Sequence, residues 1–180
     1  MPELKFLDGL SSQETLLMTS YPRSGNTLLR AYLERTMGLV TGSDVDIKRK
    51  LNSTLLELGL AGEGLADERV WIVKTHYPER LQKIKYGAER AILLVRSPLD
   101  CLPSFFNMLC SGSHNLSIAD GDFVKFNREW SEFIEEEITV WRDFINFWLG
   151  CGIPTHIIRY EDILSNPNET LDELMKFVFS

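Results

Sequence analysis

Short apolar runs alternate along this chain with longer stretches whose apolar residues recur at helical spacing. Thr15-Leu16-Leu17-Met18, Val70-Trp71-Ile72-Val73, Ala91-Ile92-Leu93-Leu94-Val95 and Thr155-His156-Ile157-Ile158-Arg159-Tyr160 are short runs, of which the second and third are apolar and rich in β-branched residues. They predict four strands, most of them buried. From Thr27, the residues Leu28, Leu29, Tyr32, Leu33 and Met37 trace a first helix, Ile47 to Leu60 a second, and Pro98 to about Cys110 a third. Trp130, Ile134, Ile138, Trp141, Ile145 and Trp148 form one stripe at helical period, which predicts a long helix buried along that stripe. Asn166-Pro167-Asn168-Glu169 combines a cap, a first-turn proline and a third-position glutamate, and so opens a last helix. Between these elements, Gly38 to Asp46 is a turn-rich loop, Gly59 to Asp67 with its three glycines a mobile connector, and Ser111 to Asp122 a polar insertion suited to line a substrate entrance. Strands alternating with helices imply an α/β fold: a parallel β-sheet flanked by helices in a three-layer sandwich, with ligands bound at the carboxyl ends of the strands.

Composition narrows this picture. At 180 residues, 44% hydrophobic and 25% charged, residues 1–180 suit a single domain with a proper core. A net charge of -7 argues against a nonspecific nucleic-acid binder, so any anionic ligand must be held by a local cluster of cations. Cys101, Cys110 and Cys151 show no CxxC pattern and are expected to be reduced core thiols, with no zinc site, no other metal site and no disulfide framework. Residues 1–9 lack an apolar leader, and no run of about 18 apolar residues occurs, which predicts a soluble, cytoplasmic chain without a membrane segment.

The candidate chemistry starts at Thr19-Ser20-Tyr21-Pro22-Arg23-Ser24-Gly25-Asn26-Thr27-Leu28. Ser24-Gly25-Asn26 falls at a strand-to-helix turn, where glycine lets the backbone approach a ligand and the free N–H groups of the new helix favour an anion. Arg23 adds a planar cation that matches phosphate or sulfonate. Lys74-Thr75-His76 leaves the second strand and Arg96 the third, so a parallel sheet brings all these groups to one edge. Lys74 and His76, two apart in an extended stretch, share a side, and a histidine with a reference pKa of about 6.5 accepts protons near neutrality. Ser104, two turns into the helix after Arg96, is placed to reach the same phosphate as that arginine.

These motifs together resemble the sulfotransferase family that uses 3'-phosphoadenosine 5'-phosphosulfate. Tyr21-Pro22-Arg23-Ser24-Gly25-Asn26-Thr27 is similar to its 5'-phosphosulfate loop, Lys74-Thr75-His76 to its catalytic Lys-Thr-His, Arg96-Ser97-Pro98-Leu99-Asp100 with Ser104 to its 3'-phosphate motif, and Arg159-Tyr160-Glu161-Asp162 to a later Arg-Tyr-Glu-Asp. The resemblance implies sulfuryl transfer from this donor to a hydroxyl or amine of a small-molecule or carbohydrate acceptor, without a metal. It implies His76 as the base, Lys74 and Arg23 as charge-stabilising groups, and Arg23, Ser24, Gly25, Asn26, Thr27, Leu28, Arg96, Ser104 and Tyr160 as donor-binding residues.

Departures from the family pattern qualify these expectations. Leu28 stands where many members carry an adenine-stacking tryptophan, and Arg23 where many carry lysine. This arginine form of the loop resembles a divergent branch that includes domains following extracellular-type modules, for which a Golgi lumen is the alternative compartment. The chain ends at Val178-Phe179-Ser180, before the Arg-Lys-Gly segment that covers the 3'-phosphate in most members, so a more open site with weaker turnover is expected. The acidic run Glu132 to Glu137 is expected to be a solvated helix face, and His114 and His156 have no assigned partner. A nucleotide-binding module with little turnover is the second reading. A P-loop small-molecule kinase is the third, and it lacks the required Lys-Ser/Thr after the glycine.

Overall fold

The computed structural model describes residues 4–8, 14–48, 50–78, 88–119, 121 and 124–180; the far end of the expected insertion, at Asp120 and Asp122, lies outside the described residues. In chain order the elements are β1 (Leu16–Ser20), α1 (Asn26–Met37), β2 (Gly42–Ser43), α2 (Lys50–Glu57), β3 (Ile72–Thr75), β4 (Arg90–Val95), α3 (Pro98–Ser111), α4 (Asn127–Gly150), β5 (Thr155–Arg159), α5 (Tyr160–Ser165) and α6 (Pro167–Val178). The five strands form one sheet in the order β2-β3-β1-β4-β5, and every neighbouring pair is parallel.

Alternation along the strands builds two cores. Leu16 and Met18 of β1, Ile72 of β3 and Ile92 and Leu94 of β4 face α1, α5 and α6, where they meet Leu29, Leu33, Ile163, Leu174 and Val178. Their neighbours Leu17, Val73, Ala91 and Leu93 face α3 and α4 and meet Cys101, Leu102, Phe105, Phe144 and Trp148. Both faces of the sheet are thus covered, as near-continuous apolar strands require, and the three-layer α/β expectation holds.

Several local expectations need correction. The loop after α1 contains a two-residue edge strand, β2, too short for periodicity to reveal. The second helix is Lys50–Glu57, shorter than Ile47 to Leu60. The glycine-rich connector is a packed segment: Leu60 and Glu63 are buried, and a Cβ on Gly62 would lie 2.2 Å from the Thr41 carbonyl oxygen. Here glycine permits close backbone approach. Glu63 forms a buried ion pair with Arg30 of α1, and Arg30 also donates from Nε to Thr41 Oγ1 (2.8 Å) and from Nη2 to the Thr41 carbonyl (2.8 Å). The core-facing side of α4 keeps Ile134, Trp141, Ile145 and Trp148 and adds Phe133, Glu137, Val140 and Phe144, whereas Ile138 is exposed. Asn166 precedes α6 without a side-chain capping bond. Of the cysteines only Cys101 is a core thiol, pushed up to about 12 chiefly by burial; Cys110 is exposed and Cys151 half-buried. Among the described residues no helix is long and apolar enough to cross a membrane.

Candidate functional site

The register of the sheet sets the level of the site. Thr19 lies opposite Thr75 and Ser20 opposite Leu94, so β1, β3 and β4 end together. Residues 21–26, His76 and Arg96 therefore emerge at one edge of the sheet. β1 is the strand from which the chain crosses to β2 and β3 on one side and later to β4 on the other, a topological switch point.

The turn after β1 is held from below and left polar at its tip. Tyr21 is buried, donates its hydroxyl to Glu137 Oε2 of α4 (2.5 Å) and sets its ring edge-on to Phe105. Arg23 then adopts a left-handed backbone (φ 63°), an uncommon conformation for a residue with a side chain, and Gly25 at φ 103° leads into α1. No side chain caps the first turn of α1, and that turn holds no acidic residue, so its N–H groups and dipole remain suited to an anion. Asn26 donates Nδ2 to Ser20 Oγ (2.7 Å), while Thr27 is exposed and Leu28 packs against the α1-side core.

His76 lies beside this turn. Its Nδ1 is 2.6 Å from the Ser20 carbonyl oxygen, which can only accept, so Nδ1 carries the proton and Nε2 of the neutral ring keeps its lone pair. Burial first, and then the Lys74 charge, push the imidazole well below its ordinary value, against the opposing effect of the Ser20 bond. The ring is therefore neutral at physiological pH. Lys74 is 6% exposed.

Asp44, just past β2, grips this element from the side. Its N–H donates to the Lys74 carbonyl (3.1 Å), and its Oδ2 accepts from Thr75 Oγ1 (2.5 Å), which in turn accepts the Tyr77 N–H (3.0 Å). Burial pushes the Asp44 carboxyl up, opposed by the Thr75 hydroxyl and the Lys74 charge.

Arg96 and Ser104 meet on Arg23. Arg96 donates Nη1 to the Arg23 carbonyl (3.0 Å) and lies over the Tyr160 ring, 4.5 Å from its centroid. Ser104 accepts from Arg23 Nε (3.0 Å). Two further Arg23 donors reach His114, Nη1 to ring Nδ1 and Nη2 to its carbonyl, both at 3.1 Å. Burial, with the Arg96 charge adding to it, pushes the Arg23 guanidinium down from its ordinary value. The donors Ser24 Oγ at this turn and Arg96 Nε beside it are buried without a partner among the described residues, as is the acceptor Asn26 Oδ1. Buried donors of this kind cost stability unless a ligand completes them, and an oxyanion fits that need.

The structure gathers Arg23, Ser24, Gly25, Asn26, Arg96, Ser104 and Tyr160 around one turn with His76 beside it. Lys74 lies on β3 close enough for its charge to act on His76, Thr27 is in the first turn of α1 with its side chain exposed, and Leu28 faces the α1-side core. Sequence reasoning missed Asp44 and Glu137, quoted Tyr21 only as part of the loop motif, and left His114 in the entrance-lining insertion without a partner. Glu137 had a signal, because it falls in phase with Phe133, Val140 and Phe144 on the buried face of α4. It is 5% exposed, which corrects the solvated-face expectation for the end of that acidic run. His156 too has a partner, stacking on Phe177 at 5.2 Å.

Comparison with known proteins adds the family. The sequence model of the sulfotransferase domain matches residues 13–178. The chain belongs to the sulfotransferase domain family. It is similar to a WSCD family member of Aedes aegypti, 29% identical over 169 residues that make up 93% of this chain and 51% of the relative. WSCD family members of Drosophila melanogaster and Drosophila pseudoobscura pseudoobscura are each 26% identical over 162 residues, 89% of this chain and 49% of theirs. The chain spans about half the length of the curated relatives it matches. Within the sulfotransferase domain, the Arg-Tyr-Glu-Asp element has a clear architectural part. Tyr160 packs against Gly25 and carries Arg96, and Glu161 accepts the Ser97 N–H (2.9 Å) at the start of α3.

Proposed function

We propose that this sulfotransferase domain binds 3'-phosphoadenosine 5'-phosphosulfate and transfers its sulfuryl group to a hydroxyl or amine of a small-molecule or carbohydrate acceptor. The observation that carries this reading is the pairing of a tautomer-locked His76 with buried donors, Ser24 Oγ at the adjoining turn and Arg96 Nε beside it, that have no partner among the described residues. The donor nucleotide supplies the activated sulfuryl group. Residues 23–26 and the first turn of α1 hold the 5' end, and Arg96 with Ser104 holds the 3'-phosphate.

Nε2 of His76 takes the acceptor proton as the acceptor oxygen or nitrogen bonds to sulfur and the bond from sulfur to the bridging oxygen breaks. Adenosine 3',5'-bisphosphate leaves. Lys74 and Arg23 offset the negative charge on the sulfonate and bridging oxygens. Arg23 acts as a fixed fork, since a guanidinium keeps its proton where a lysine could donate one.

Calorimetric titration with adenosine 3',5'-bisphosphate, with ATP and magnesium as the control, tests the binding half. Stoichiometric binding of the bisphosphate alone is expected, and preference for ATP would overturn the reading. Transfer from radiolabelled donor across a panel of sugar and phenol acceptors tests the other half. Bisphosphate binding without transfer to any acceptor would favour the nucleotide-binding module.

A further inference from the structure

The unassigned histidine of the polar insertion sits on the loop arginine. His114 follows α3 in the segment 111–117, far in sequence from Arg23, yet it occupies two of that side chain's donors. Arg23 donates Nη1 to His114 Nδ1 and Nη2 to the His114 carbonyl, each at 3.1 Å, while Nε is held by Ser104 at 3.0 Å. An arginine donates only, so Nδ1 of His114 is an acceptor here. The carbonyl and the ring nitrogen together present two acceptor atoms to the two terminal nitrogens of the guanidinium. That is the pattern in which two oxygens of a phosphate or sulfonate meet an arginine fork.

The same residues line a polar cleft of about 300 Å³, bounded by Arg23, Ser104, Asn107, Ser113, His114 and Ser117. Segment 111–117 is organised by polar contacts within itself: Ser111 Oγ donates to the Ser113 carbonyl, and Ser113 Oγ accepts the Asn115 and Leu116 N–H groups. Leu116 itself is 66% exposed. Withdrawing this segment from Arg23 uncovers little apolar surface, so the contact is one an oxyanion can displace.

We infer that His114 is a positioning residue that holds the Arg23 fork in place of the donor's oxyanion and must yield it when nucleotide binds. This rests on the nucleotide-binding reading of the same turn. His114 thereby lowers the affinity of the empty site and keeps the arginine from gripping other anions. A ligand that replaces both acceptor contacts releases it. A population held mostly in the occupied arrangement weakens apparent affinity by the fraction that is competent, so a tenth competent means about tenfold.

Three readouts test this. In His114→Ala, modification of Arg23 by phenylglyoxal, followed by mass spectrometry with buried Arg30 as internal control, should run several-fold faster than in the unaltered chain. Adenosine 3',5'-bisphosphate should associate faster and bind up to about tenfold tighter. His114→Asn, whose side-chain oxygen can stand in for Nδ1, should return both toward the unaltered values. A merely structural role would not show rescue by an acceptor together with tighter binding in its absence. Unchanged or slower Arg23 modification, or weaker nucleotide binding, in His114→Ala would overturn the inference and make His114 a spacer or a nucleotide contact. Faster modification with no nucleotide bound by any variant would leave the masking role standing and remove the nucleotide reading instead. Should His114→Ala fold poorly, which rapid Arg30 modification would reveal, the ¹⁵N shift of His114 Nδ1 in the unaltered chain decides. It should move toward that of a free imidazole as inorganic pyrophosphate saturates the site, and an unmoved resonance overturns the inference.

Discussion

The ring of Tyr160 fills the space that a side chain on Gly25 would need: a Cβ there would stand 2.4 Å from Tyr160 Cδ2 and 2.6 Å from Cε2. The same ring carries the Arg96 guanidinium at 4.5 Å. The conformation of the first turn and the placement of the third-strand cation are therefore coupled through one side chain on α5. This gives Gly25 two separate reasons to be glycine, its φ of 103° and the proximity of that ring.

Gly25→Ala is expected to lose about 1–3 kcal/mol of stability from the backbone conformation alone. It should also abolish bisphosphate binding, because the displaced ring takes Arg96 with it. Adding Tyr160→Ala restores room without relieving the backbone, so the double variant should regain part of the lost stability and little affinity. Thermal melts and calorimetry on both variants check this; a single variant that binds nucleotide normally would break the proposed coupling.

The burial of His76 beside the Lys74 charge leads to a pH prediction. Because the folded-state pKa lies below the ordinary histidine value, the unfolded chain binds the proton first as pH falls. Between the unfolded value near 6.5 and the lower folded value, stability therefore rises with pH, and it is lost progressively on acidification through that window. His156, also shifted down by burial, acts in the same direction. His76→Asn should flatten this part of the stability profile. His76→Ala should abolish transfer while leaving bisphosphate affinity within a few-fold, since the base serves the acceptor. Single-turnover transfer at an undiminished rate in His76→Ala would move the base elsewhere.

Arg96 and Arg23 separate by ligand. Arg96→Ala should weaken adenosine 3',5'-bisphosphate by roughly 2–4 kcal/mol, the loss of a charge-assisted phosphate contact. It should weaken adenosine 5'-phosphosulfate, which lacks the 3' group, much less. Arg23→Ala should weaken both. Equal losses for both ligands in Arg96→Ala would show that this arginine does not read the 3' end.

Much of this architecture was legible because it depends on local pattern. The run at 91–95 and the turn at 24–26 report their own conformation, the run at 70–73 marks a strand that lies two residues further on, at Ile72–Thr75, with Lys74 and Thr75 inside it, and parallel order then forces residues 23, 76 and 96 to one edge. What escaped detection depends on contacts between distant segments. Nothing local marks His114 as a partner of Arg23, 91 residues away, or Asp44 as a partner of Thr75 across a two-residue strand. The glycines at 62 and 64 looked like a mobile connector because freedom of the chain and close packing of the chain call for the same residue. Glu63 between them reads as polar and exposed until Arg30 is placed opposite it.

That buried pair supports the last prediction. Arg30 and Glu63 are 1% and 2% exposed, with Thr41 taking two further Arg30 donors and Ser43 Oγ 3.4 Å from the second Glu63 oxygen. Glu34 Oε1 also accepts from the Thr41 N–H (2.9 Å) and hydroxyl (2.7 Å), so α1, β2 and the 59–67 segment share one polar network. Removing one partner strands the other charge away from water. Glu63→Ala should therefore cost about 3–5 kcal/mol, and Glu63→Gln less, because an acceptor oxygen remains. Arg30→Met with Glu63→Leu should cost less than Glu63→Ala, since neither member of the ion pair is left without the other. Chemical denaturation of the three variants measures the ordering. A Glu63→Ala variant within about 0.5 kcal/mol of the unaltered chain would mean that the 59–67 segment is held by its apolar contacts and that the ion pair adds nothing.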